Sequence, residues 1–135
     1  MSARAEREVK RDRGSLAIAM MFLVIITLVG GGMLVDGGRV LAARQHAFNI
    51  AQGAARSAAA LGAPMAPVDA ATARRAAMSY AQRAGIAASD VSVSTVRGVV
   101  TVTVVERRSA VFTALVGKAT FTVRAVGVAE LVWRP

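Results

Sequence analysis

From Leu16 to Val35 the chain reads LAIAMMFLVIITLVGGGMLV, twenty residues without one charged side chain. As an α-helix rising about 1.5 Å per residue, such a run extends about 30 Å, the thickness of a bilayer's hydrocarbon core. A chain of 135 residues leaves too little protein around it to bury a helix that is apolar on every side. The nearest rival is a secretory signal peptide, whose apolar core usually runs about 7–15 residues and ends at a small-x-small cleavage site. Here Asp36-Gly37-Gly38-Arg39 follows at once. The run reads as a retained, single-pass transmembrane helix, and the lipid bilayer is the first partner it implies.

The flanks give an orientation. Residues 1–14 form a short polar tail, expected to be disordered, with five positive charges: Arg4, Arg7, Lys10, Arg11 and Arg13. The first twenty residues after Val35 hold two, Arg39 and Arg44. Short loops richer in Lys and Arg stay in the cytoplasm, so the N-terminus is expected inside and the C-terminal part outside. That external part carries twelve Lys/Arg against five Asp/Glu. A basic outer surface suits anionic headgroups or envelope polymers; the plainer reading is that the charges keep an Ala-rich domain soluble. The basic residues are scattered and only 4% of the chain is aromatic, so nucleic acid is not an expected partner.

Periodicity divides the rest. Residues 36–61 read as a membrane-proximal helix that continues the span, with a weak joint at Asp36-Gly37-Gly38. Ala47, Ala51, Ala54, Ala58 and Leu61 recur at spacings of four and three, a narrow stripe of small residues that lets another surface approach closely. Residues 62–67 (Gly62 to Pro67, after Leu61) are a linker, and 68–135 a small α+β region. In it, a second helix starts at the N-cap Asp69, reaches about Ala84 and stops at Gly85.

Beyond Gly85 the period becomes strand-like. Val91–Val96 and Val99–Val105 are β-branched and are joined by Arg97-Gly98, a two-residue hairpin turn. A third strand candidate runs from Thr120 to Val128, and Ser109–Val116 reads as a short helix ending at Gly117. The expected fold is α+β: a transmembrane helix continuing into an Ala-rich helix, a second helix, and a three-stranded antiparallel sheet against which both Ala-rich helices pack on one face.

Catalytic chemistry finds little to work with. There is no Cys, and a single His, His46, cannot build a multi-histidine metal cluster. His46 lies among Ala42, Ala43, Ala47 and Phe48 and reads as a surface or interfacial residue. The external carboxylates Asp69, Asp90, Glu106 and Glu130 are isolated in sequence. Gly30-Gly31-Gly32 lacks the Lys-Ser/Thr of a phosphate-binding loop. No enzyme activity, cofactor or metal is expected.

Near the membrane, Asp36 and Arg39 stand three residues apart and can pair on one helix face. The order of Arg13-Gly14-Ser15, the apolar run, Val35-Asp36-Gly37-Gly38-Arg39 and Ala42-Ala43-Arg44-Gln45 resembles the N-terminal region of TadE/TadG-like proteins of tight-adherence, Flp-type pilus systems. The resemblance covers about Arg13 to Ala60. It implies a bacterial cell-envelope protein, a membrane-anchored minor pilin or pseudopilin whose partners are pilus or secretion-machine proteins, with self-association a further expectation. It also implies a leader-processing site between Gly14 and Ser15. The fifth residue after such a cut, Glu in many pilin-type precursors, is Ala19 here. Asp36, Arg39, Ala47 and Ala51 are the candidate subunit contacts. The other functional class left open is a membrane-tethered extracytoplasmic binding module for an envelope polymer or another membrane protein.

Overall fold

The structure, a computed structural model, describes residues 2–62, 68–117 and 119–130. Helix α1 runs from Ser2 to Ala59 as one 58-residue element. The expected span and membrane-proximal helix are therefore two stretches of a single helix, and no break occurs at Asp36-Gly37-Gly38. A glycine costs a helix up to about 1 kcal/mol relative to Ala, but extending an existing helix is far easier than nucleating one. The basic tail, expected to be disordered, forms the opening turns of the same helix.

Helix α2 spans Ala70–Arg83. The Asp69 carboxylate caps it, accepting from the backbone N–H groups of Ala71 and Thr72 at 3.1 Å each. Gly85 ends it at φ 86°, a conformation that costs glycine little. These are the cap and the stop read from the sequence. The break read at Leu61–Pro67 falls mostly on residues 63–67, outside the described residues.

Three strands follow: β1 (Val91–Val96), β2 (Val99–Ser109) and β3 (Thr120–Glu130). They form one antiparallel sheet in the order β1-β2-β3. Arg97 (φ 50°) and Gly98 (φ 81°) make the β1–β2 turn with both central residues left-handed, the twist a two-residue hairpin needs. Strands β2 and β3 are longer than their apolar runs because Arg107, Arg108 and Ser109 pair with Thr122, Phe121 and Thr120. The ladder uses backbone groups, so polar side chains do not end it. The expected Ser109–Val116 helix shrinks to a 3-10 turn at Thr113–Val116, closed by Gly117 at φ 91°.

Both helices cover the same sheet face. The upper part of α1 lies across β2 and β3, and α2 packs on α1 and β1. Register aligns Val91 with Val104 and Ala125, and Val102 with Gly127, building rows of inward residues. Val100, Val102 and Val104 are fully buried, each contributing at most about 1.5–3 kcal/mol of apolar burial. The helices meet them with alanine: Ala47, Ala51, Ala54, Ala55 and Ala58 from α1, and Ala73, Ala77 and Ala81 from α2. Layers this thin bring backbones together. A Cβ added to Gly127 would collide with the backbone of Ala51, and one added to Gly53 would collide with the Tyr80 ring.

Candidate functional site

The junction between the apolar stretch and the packed domain is built on one face of α1. Between Gly14 and Ala42 only Gly32 and Asp36 are buried, one helical turn apart, while the large side chains around them stand exposed. What covers them is the segment joining β2 to β3. The Asp36 carboxylate, 2% exposed, accepts three backbone N–H groups from that segment. Val111 donates to Oδ1 at 3.0 Å, and Phe112 and Thr113 donate to Oδ2 at 3.0 and 2.7 Å. The Phe112 ring then lies over Gly32, where an added Cβ would sit 2.6 Å from ring atoms. Any larger residue at 32 would lift the segment off the helix.

This chemistry explains how a carboxylate can sit beside a lipid-sized apolar run. A buried charge is costly unless it is fully hydrogen-bonded. Here the donation from Thr113 and Val111, with a smaller share from Phe112, outweighs the loss of hydration and holds the Asp36 carboxyl below its ordinary value. The anion, and not the acid, is the form the junction stabilises.

The other sequence-derived candidates are distributed differently. Arg39 is exposed, and Asp36 does not pair with it; the carboxylate turns instead to residues 75–77 positions away. Ala47 and Ala51, expected at a subunit surface, are both 0% exposed under the protein's own sheet. Their burial has a simple cause: alanines on one helix face and Gly127 on the strand leave a gap that only close backbone approach can fill. Gly14 and Ser15 are exposed and helical within α1.

Sequence reasoning missed a second polar cluster. Glu106, 6% exposed, meets His46 Nδ1 at 3.1 Å and the Arg108 guanidinium, while Arg107 pairs with Asp90 at 2.6 Å. These residues line a shallow recess of about 310 Å³ with Gly85 and Ile86. The alternation of Val100, Val102 and Val104 was the available signal, since it carries Glu106 onto the inward face. Its partner on α1, sixty residues away, left no trace in the sequence. The cluster holds no hydroxyl or thiol side chain, and no group of three metal-ligating side chains occurs among the described residues. Its observable role is to anchor the end of β2 to α1.

The remaining feature is the stretch from Leu16 to Val35, whose large side chains are about half exposed or more. Among the described residues this is the one helix long and apolar enough to cross a membrane. The family comparison falls on the same part of the chain. Residues 14–61 match the model of the TadE/G-like Flp pilus-assembly family. The TadE/G-like segment thus takes in the span, the Asp36 junction and the alanine stripe, and it coincides with the resemblance visible in the sequence. No curated protein and no solved structure matches the chain significantly. The family match supports a pilus-assembly-related role.

Proposed function

We propose that the chain is a membrane-anchored structural component of a Flp-type pilus assembly or a related secretion system, similar to a minor pilin or pseudopilin. The observation that carries this reading is the unclothed apolar stretch of α1 lying inside the TadE/G-like segment. Fourteen large apolar side chains between Leu16 and Val35, projecting from an otherwise packed domain, need a lipid phase around them. The excess of positive charge before the span favours a cytoplasmic N-terminus and an extracytoplasmic α+β domain.

The partners in this reading are pilus or secretion-machine proteins, together with further copies of this chain. Arg39, exposed on the helix just beyond the bilayer, remains the candidate subunit contact, because Asp36, Ala47 and Ala51 are occupied within the subunit. Processing between Gly14 and Ser15 belongs to the same proposal and would appear as a mature chain beginning at Ser15.

Co-purification of the full chain from membranes tests the reading. Recovery with pilin or with the secretion ATPase platform is the expected result. Recovery with a non-pilus envelope ligand instead would favour the tethered binding module. A reporter active only outside the cytoplasm, fused after Pro135, should work; activity of a cytoplasm-only reporter there would reverse the orientation.

A further inference from the structure

We propose that the segment joining β2 to β3, Ser109–Gly117, is a second membrane contact: its tip enters the border of the bilayer beside α1, and its partner is lipid. The inference rests on the reading of α1 as the membrane anchor and adds a site that this reading does not contain.

Depth is the first argument. The Phe112 ring lies over Gly32, four residues inside Asp36 and within the charge-free run. Four residues of helix correspond to about 6 Å along the axis, so a bilayer that surrounds residues 16–35 also reaches Phe112. Contact with the helix places the segment tip beside the last turn of the span and not above it.

Composition is the second. Between Arg108 and Lys118 the segment reads SAVFTALVG, without a charged residue. Val111 and Phe112 remain 45% and 40% exposed after the domain has folded.

Hydrogen bonding is the third and the most demanding. Irregular backbone cannot face lipid while its N–H groups lack partners. Here five N–H groups of the segment have acceptors within the protein. Those of Val111, Phe112 and Thr113 donate to Asp36, that of Ala110 to the Ala119 carbonyl at 2.9 Å, and that of Gly117 to the Ala114 carbonyl at 3.1 Å. A loop bound only for water would have no need of a buried carboxylate to satisfy three successive amides.

The chain has no cysteine, so single cysteines can be placed and labelled in the full protein. An environment-sensitive fluorophore is attached at Ile25→Cys, Val111→Cys or Ser94→Cys, with the protein in phosphatidylethanolamine–phosphatidylglycerol vesicles. Each label is quenched in turn by aqueous iodide and by brominated lipid. The expected result is that residue 111 resembles residue 25: blue-shifted, insensitive to iodide and quenched by the brominated lipid, whereas residue 94 shows the reverse. Iodide quenching at 111 equal to that at 94 overturns the proposal while leaving the anchor intact. Shielding at 111 from both quenchers also overturns it, since a protein surface would then cover the tip. Iodide quenching at residue 25 would overturn the anchor reading itself, and with it this inference.

Discussion

The two halves of α1 use apolar residues in opposite ways. Between Leu16 and Val35 the side chains are large and point outward: Ile26 is 66% exposed and Leu34 79%. Between Ala43 and Ala59 they are small and point inward, with Ala47, Ala51, Ala54 and Ala58 fully buried. Nothing in the backbone marks the change, because the helix is continuous through both. The difference lies in what surrounds the helix. In the membrane-anchor reading lipid surrounds the lower half, and since lipid tails conform to any large side chain, bulk and hydrophobicity suffice below Asp36. A sheet is rigid, so above Asp36 the helix must be flat enough for Gly127 to meet the Ala51 backbone. Hydrophobicity alone does not distinguish these cases; side-chain size does.

Exchanging the two rules should break the comparison. The largest effect is expected for Ile25→Arg, where a charge in mid-span costs roughly 2.5–3.5 kcal/mol of insertion. Alkaline extraction should release this variant from membranes and leave the unaltered chain behind. Ala51→Leu or Gly127→Val forces side-chain volume between helix and sheet, and overpacking should lower domain stability by roughly 1–3 kcal/mol in urea unfolding. Leu28→Ala, in the lipid-facing half, should leave that unfolding midpoint where it is. An unchanged midpoint in all three variants would remove the distinction between the halves.

Smaller and more local changes sharpen the boundary between them. Asp36→Ala leaves three segment amides without their acceptor. Hydrogen exchange should accelerate at Val111, Phe112 and Thr113 while Val100, Val102 and Val104 stay protected. The smallest effect is that of acid. The Asp36 carboxyl is held below its unfolded value of about 3.9. Its contribution is therefore complete above that value and disappears as pH falls through the lower, folded one. Protection of the same three amides should be flat at neutral pH and decline only below about pH 4. Loss of protection already at neutral pH would point to a group other than Asp36.

What the sequence revealed about this architecture followed a physical divide. The Asp69 cap, the Gly85 stop and the Arg97-Gly98 turn were legible because each is a bargain between residues a few positions apart. The span was legible because lipid imposes one requirement on twenty consecutive residues. The Asp36 junction was not, since its donors lie 75–77 residues away and are backbone groups carrying no residue signature. Glu106 and His46 were hidden by the same distance. The alanine stripe was seen as a contact surface, but periodicity describes only the face of a helix and not the object that covers it. That object is the chain's own sheet.

One measurement addresses the central claim that a single helix lives in two solvents. Single cysteines at Leu23 and at Ala51 are exposed to a membrane-impermeant maleimide, with the full chain in intact vesicles, before and after urea. The account expects both to be unreactive at first, and urea to release only the cysteine at 51, because unfolding the domain leaves the bilayer in place. Reaction at position 23 without detergent, or release of both positions together in urea, would contradict it.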